Sequence, residues 1–334
     1  MKELHFITIG DKKFFSFICY SAKLIQRIYP DAKFYIYDIG FKNDQLNILK
    51  RYQNTIIINW RKELKDKKFL DKISASSNLY GNLKQSRWLE FLFLQKPLCI
   101  LDCAKRINKN LIYLDGDALL IKEIDEILNS DFDIGVTIRI EKKILKIKDS
   151  LGISANINAG VIFFLTTSNK IQAFILEWMK LINFNNKIWL EQTALNNLIK
   201  NAHSEIFKKY YNRAILKISD FDFKVRTLPC EYYNHYKIHE GYDKKTKILH
   251  FRLSKTGFKN ISLIEIVRII KLGPIFSKLF KYLPIETRDY FRIIINLNFI
   301  LQILKNPINL RNLFKTILEP YNEYVKFKRS VLRH

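Results

Sequence analysis

The sequence predicts an α/β protein: a mixed, mainly parallel sheet with flanking helices over residues 1–260, followed by a basic α-helical C-terminal region over 261–334. Three observations predict it. Short β-branched runs alternate with amphipathic helical stretches from residue 5 onward, which is the pattern of βαβ units. The 334 residues are 48% hydrophobic and include only 10 Gly and 7 Pro, ample material for a large core and too few breakers for a disordered chain. From Asn260 the composition shifts to Lys/Arg interleaved with Phe, Leu and Ile at helical spacing.

Taken in order, His5 to Ile9 is a short apolar strand ending at Gly10-Asp11. From Phe14 the apolar period becomes helical, with Phe15, Ile18, Cys19, Ala22, Ile25 and Ile28 on one stripe, and Pro30 stops it. Ala32 to Ile39 is a second strand, Asn43 to Tyr52 a helix, and Thr55 to Asn59 a third strand. Trp60 to Gln85 reads as a Lys-rich loop. Arg87 to Ala104 is helix-compatible but interrupted by Pro97, whose missing N–H suits the first turn of a new helix. Leu111 to Leu114 is a fully apolar strand running into Asp115-Gly116-Asp117, and further strands are expected at Ile134 to Ile138 and Val161 to Leu165. Helices follow at about 170–182 and 191–199. Beyond 260, Ser262-x-x-Glu265 is a capping-box pattern that opens an amphipathic helix ending at Gly273-Pro274. One α/β domain with an appendage and two modest domains both accommodate this length.

Lys and Arg number 57 against 32 Asp and Glu, a formal charge of +25, which points to anionic partners: nucleic acid, a phospholipid surface or phosphate-bearing substrates. Residues 261–334 alone carry 13 basic and 5 acidic side chains. The longest apolar stretch, Ile293 to Leu304, contains Asn296, Asn298 and Gln302 and falls short of the ~20 residues of a membrane-spanning helix. Met1 to Gly10 has no basic-then-apolar leader pattern, so a cytoplasmic protein is expected. Cys19, Cys99, Cys103 and Cys230 lack the spacing of a disulfide framework or a zinc ribbon and read as free buried thiols.

Three Asp-x-Asp pairs occur: Asp115/Asp117, Asp131/Asp133 and Asp220/Asp222. Only the first follows a buried strand to the sheet edge where nucleotides bind, with Gly116 letting the backbone turn so that both carboxylates face one cation. The other two read as solvated turns.

Leu111–Asp117 (LIYLDGD) resembles the DxD segment of GT-A fold glycosyltransferases, and other segments follow in the order those enzymes show. Asn158–Val161 resembles their NAGV segment, Glu191–Asn196 their D-Q-x-x-L-N helix start, Leu228-Pro229 with Tyr233-Asn234 their LPxxYN, and Ile248–Phe251 their late IxHF strand. Together these span most of residues 1–260, and the group they most resemble is glycosyltransferase family 8. The resemblance implies the GT-A nucleotide-diphospho-sugar transferase fold, a nucleotide-sugar donor (UDP-linked in many members) and a divalent ion, Mn²⁺ or Mg²⁺, held by Asp115, Asp117 and His250. It also implies donor contacts from Thr8, Asp11, Lys96, Asp115, Asn158, Gly160 and Lys255, with Lys259 able to clamp the same phosphates. Gln192 would sit beside the anomeric carbon of a retaining enzyme. Glu191 or Asp133 would be the general base of an inverting one. The family's Gly and Lys-Pro-Trp after the histidine are missing from His250–Lys255.

The expected acceptor is a cell-surface glycan (lipopolysaccharide, lipooligosaccharide or capsule), lipid-linked and met at the cytoplasmic face of the inner membrane by the basic tail. Two rivals fare worse. A sugar-nucleotide-forming nucleotidyltransferase carries a Gly-rich basic loop after its first strand, where Gly10–Phe14 has one glycine. A nucleic-acid-binding protein would use the charge, but no zinc-finger or RNA-recognition motif is present, and no nucleic acid is expected as partner.

Overall fold

The structure, a computed structural model, describes residues 3–61, 84–139, 156–182, 190–203, 205–236 and 242–251. The chain divides into one unit of Met1–Tyr236 with Lys245–Lys259 and a second of Lys237–Lys244 with Asn260–His334. The Trp60–Gln85 loop for the most part, Lys255, Lys259 and the basic tail lie outside the described residues.

The first unit is built on an eight-stranded sheet, in the order β3-β2-β1-β4-β7-β6-β9-β8. The strands are β1 His5–Asp11, β2 Lys33–Gly40, β3 Thr55–Asn59, β4 Lys109–Leu114, β6 Ile134–Ile138, β7 Ile157–Thr167, β8 Arg213–Ile218 and β9 Phe221–Pro229. The pairs β1·β2, β2·β3, β1·β4 and β6·β9 are parallel, whereas β7 runs antiparallel to both neighbours and β8 antiparallel to β9. Six strands therefore share one direction, as a mainly parallel mixed sheet requires. A separate antiparallel ribbon pairs β5 (Ala118–Leu120) with β10 (Ile248–His250).

Side-chain alternation builds a core on each face. Ile7, Tyr35, Leu111, Tyr113, Ile162 and Phe164 pack with Cys99, Ile100 and Cys103 of α3 (Lys84–Ala104), Phe174 and Trp178 of α5 (Ser168–Lys180) and Leu195 of α6 (Leu190–Ala202). On the other face, Phe6, Phe34, Ile36, Ile112, Leu114, Val161 and Phe163 meet Ile18, Ala22 and Ile25 of α1 (Phe15–Ile28), the stripe read from the sequence. The remaining α-helices among the described residues are α2 (Asn43–Leu49), α4 (Asp125–Leu128) and α7 (Cys230–Tyr233). All four cysteines are free and buried.

Three expectations are corrected. Helix α3 runs through Pro97 without a break, because Leu94 on one side and Ile100, Cys103 and Ala104 on the other are all buried, and that packing outweighs one lost backbone hydrogen bond. Strand β7 begins at Ile157, four residues before the expected Val161, so Asn158, Ala159 and Gly160 lie inside it. Asp133, proposed as an alternative base, precedes β6 beside Leu165, at the opposite rim of the sheet from Asp115 beside Gly160, and its carboxylate is taken by Lys170 at 3.2 Å and the Lys224 N–H at 2.8 Å. As read from the sequence, Asp131, Asp220 and Asp222 are exposed.

A candidate cation site at the carboxyl rim of the sheet

Strand β4 delivers Asp115 to the rim, where its N–H is donated to the Gly160 carbonyl at 2.8 Å and its own carbonyl accepts from Ala118 at the same distance. This tight turn needs Gly116: a Cβ there would lie 2.8 Å from the Ile9 carbonyl and 3.0 Å from the Phe14 ring. The turn leads into β5, and β10 pairs with β5 so that His250 stands opposite Ala118. The Phe251 N–H then closes onto the Asp117 carbonyl at 3.0 Å. Three residues from two distant segments thereby converge. Asp115, Asp117 and His250 each offer an atom within 4.8 Å of the others, with His250 Nε2 lying 3.3 Å from Asp117 Oδ1 and 3.5 Å from Asp115 Oδ2.

The tautomer of His250 follows from its partners. Asn234 is fully buried and its Nδ2 faces the Asn158 carbonyl at 3.0 Å, an acceptor only, which fixes that atom as the amide NH₂. The same group donates to Thr137 Oγ1, whose hydroxyl donates onward to the Asn158 carbonyl. Asn234 Oδ1 is left to accept from His250 Nδ1 at 2.8 Å. Nδ1 thus carries a proton, which leaves Nε2, the ring atom that faces the two carboxylates, as the one that a cation would meet in the neutral ring. Three acceptors aimed at one point are arranged for a cation.

Asn234 is the functional residue the sequence reading missed as an actor, although its Tyr233-Asn234 segment carried part of the resemblance. Replacing it with Ala should weaken Mn²⁺ binding by about 10–100-fold, the usual effect of losing such a supporting hydrogen bond; titration of Mn²⁺ into wild type and variant checks this. Gly160 is required by close approach: a Cβ would fall 2.4 Å from His250 Cε1, 2.6 Å from its Nδ1 and 2.9 Å from Asp115 Oδ2. Gly160→Ala should therefore displace the imidazole, costing ~1–3 kcal/mol of stability as overpacking does and most of the cation affinity. Thermal melting with and without Mn²⁺ reads both effects.

Lys96 enters from beneath. Its buried ammonium lies 3.1 Å from the Ala159 carbonyl, 3.3 Å from Asp115 Oδ1 and 3.4 Å from Glu191 Oε1, so its three N–H groups all have partners inside the protein. Burial pulls the Lys96 pKa down, but Asp115 and Glu191 overcome this and hold it above the ordinary lysine range. Burial lifts Glu191 above the usual carboxylate range, with Lys96 opposing. Tyr113, raised well above a normal phenol by burial and by Asp115, donates its hydroxyl to Asp115 Oδ1 at 2.7 Å.

The other predicted residues distribute along the same rim. Thr8 in β1 is buried with its Oγ1 lacking a hydrogen-bond partner, and Asp11, at the strand's end, accepts from the Lys13 N–H at 2.8 Å. Asn158 Oδ1 accepts from the Gly160 N–H while its buried Nδ2 has no partner. Gln192, partly exposed at the start of α6, accepts from the Ala159 N–H at 3.3 Å. Lys255 lies outside the described residues.

No family model and no curated protein matches the chain. Among solved structures, the galactosyltransferase LgtC in complex with donor and acceptor sugar analogues aligns at 14% identity and a TM-score of 0.47, over 86% of this chain and 99% of its own. The glycosyltransferase GlyE of Streptococcus pneumoniae TIGR4 aligns at 13% identity and 0.44, over 84% and 64%. Mouse xyloside xylosyltransferase 1 aligns at 10% identity and 0.43, over 75% and 98%.

Proposed function

We propose that the protein is a glycosyltransferase that moves a hexose from a UDP-sugar to a hydroxyl of a cell-surface glycan such as lipopolysaccharide, lipooligosaccharide or capsule, with retention of configuration. The observation that carries this reading is the convergence of Asp115, Asp117 and the lone pair of His250 Nε2 at the carboxyl rim of a mainly parallel sheet, where nucleotides bind. Two carboxylates and one imidazole fit Mn²⁺, and Mg²⁺ less closely because it prefers an all-oxygen shell. When bound there, the ion would offset the charge of the donor diphosphate.

The protein's own residues supply the rest. Asp11, at the end of β1, accepts from ribose hydroxyls, and Thr8, whose buried hydroxyl has no partner, bonds the base edge. Asn158 Nδ2, buried and unpaired, is a donor awaiting a sugar hydroxyl. Gln192 has its Oε1 committed to Ala159, which leaves its NH₂ as the group facing substrate. Retention is supported by Glu191: it is buried and tied to Lys96, and so is poorly placed to take a proton as the base of an inverting reaction. The bond from the anomeric carbon to the diphosphate oxygen breaks, the acceptor oxygen forms its bond on the same face, and the acceptor proton passes to the departing phosphate oxygen. Interactions that strengthen as this charge develops lower the barrier.

The test is nucleotide release by the full chain with Mn²⁺ from UDP-, GDP- and CMP-sugars. Release from a UDP-hexose, abolished by EDTA and restored by Mn²⁺, is expected; no release from any donor overturns the reading. The 13 basic against 5 acidic residues of 261–334 support a lipid-linked acceptor met at an anionic membrane surface. No helix among the described residues is long and apolar enough to cross a membrane.

A further inference from the structure

Arg139 follows β6 at the same rim as the cation cluster. Its N–H is donated to the Asn156 carbonyl at 2.9 Å, and the Asn156 N–H is donated to Oδ1 of the fully buried Asn196 on α6 at 3.0 Å. The backbone at Arg139 is thus tied to the strand that carries Asn158 and Gly160. Its guanidinium carbon lies 4.5 Å from the centroid of the Tyr236 ring, two residues beyond the asparagine that orients His250. Its Nε is buried with no hydrogen-bond partner.

Among the described residues, no carboxylate pairs with this guanidinium. The Cys230 thiol, hydrogen-bonded to Arg139 through a nitrogen other than the unpaired Nε, is pushed up to about 12 by burial, against the pull of the guanidinium, and stays neutral. Glu231 is engaged by the Tyr210 hydroxyl at 2.7 Å. A desolvated guanidinium nitrogen without an acceptor is costly, and a planar fork stacked on an aromatic ring is pre-organised to grip a carboxylate or phosphate through two parallel hydrogen bonds. Asn156 lies four positions before Gly160, about 13 Å along the rim at the rise of a strand, so the backbone of Arg139 stands outside the cation cluster on the same rim.

We propose that Arg139, stacked on Tyr236, forms an acceptor subsite for an anionic saccharide, bound through its carboxylate or phosphate group. Assigning this anion to the acceptor rests on the glycosyltransferase reading; the anion site does not. Calorimetric titration of the full chain with glucuronate, glucose 6-phosphate and glucose tests it. Wild type should bind at least one of the two anions tenfold or more tightly than glucose, and whichever anion is preferred names the group. Arg139→Met should reduce that preference to the level of glucose, and Arg139→Lys should lose about three- to tenfold. UDP binding should be unchanged in both.

Equal binding of all three sugars by wild type overturns the proposal, as does an undiminished preference in the Met variant. If that variant does not fold, an undiminished preference in the Lys variant overturns it. Failure of every donor to release nucleotide while the anion preference persists would remove the glycosyltransferase reading and leave the subsite standing.

Discussion

Asp117→Ala should lower Mn²⁺-dependent nucleotide release from a UDP-sugar by about a thousandfold, equivalent to ~4 kcal/mol of transition-state stabilisation. The size follows from position. Asp117 is buried, its Oδ1 lies 3.3 Å from His250 Nε2, and its carbonyl holds the Phe251 N–H, a backbone contact that survives the substitution. The change removes one of the three side chains proposed to hold the cation and leaves β5 and β10 paired. A ligand that binds only the folded state raises its melting temperature by mass action, so Mn²⁺ should stabilise wild type and leave the Ala variant unmoved. Circular dichroism should show the same secondary structure in both. Retention of Mn²⁺-dependent turnover in a folded Asp117→Ala protein would remove the cation assignment and the proposed function with it.

Lys96→Met should have the largest effect on stability, a loss of about 3–5 kcal/mol, because it leaves the buried Glu191 and the half-buried Asp115 beside an apolar chain. The pH dependence has a definite sign. The folded-state pKa of Glu191 already lies above its unfolded value of 4.5, and without Lys96 to oppose burial it rises further. The raised pKa therefore penalises the folded variant at neutral pH, and the penalty shrinks as the pH falls toward 4.5 and vanishes below it, where the carboxyl is neutral folded and unfolded. In wild type the raised Lys96 pKa contributes stability below 10.5 that is lost as pH rises through the folded value. Denaturant melts from pH 7.5 to 5 should show the variant's deficit narrowing; a deficit that is small or constant with pH would mean that the buried ion triad is not what holds this layer together. Lys96→Met/Glu191→Leu should recover part of the loss, since replacing both charges by apolar side chains leaves fewer groups unpaired.

Much of this arrangement could be read before the fold was known, because it is local. The stripe Phe15–Ile28 and the runs 5–9, 32–39 and 55–59 declare their periods within a few residues, and LIYLDGD puts two carboxylates at the end of an apolar strand without reference to anything else. Long-range pairing was less accessible. Nothing near Ala118–Leu120 signals that it pairs with Ile248–His250, and the hairpin of β8 with β9 is hidden in an ordinary Lys-rich alternation. Pro97 misled because its local cost is fixed while the burial that offsets it is tertiary. Lys96 has the appearance of a phosphate ligand in sequence, and only the depth of its ammonium shows that it faces inward. Asn234 stood within a recognised segment, but its role depends on which of its atoms meets a carbonyl, and that is decided only by the fold.

The ribbon of β5 and β10 has a consequence for biosynthesis. Its two strands are separated by more than a hundred residues, so the imidazole is added to the paired aspartates late in translation, after the entropic cost of closing that long loop has been met. A nascent or prematurely terminated chain that stops short of Ile248 would present two neighbouring carboxylates with no third arm, and would hold divalent ions only weakly. Competence to grip the ion then reports that synthesis has passed the point at which this segment can dock.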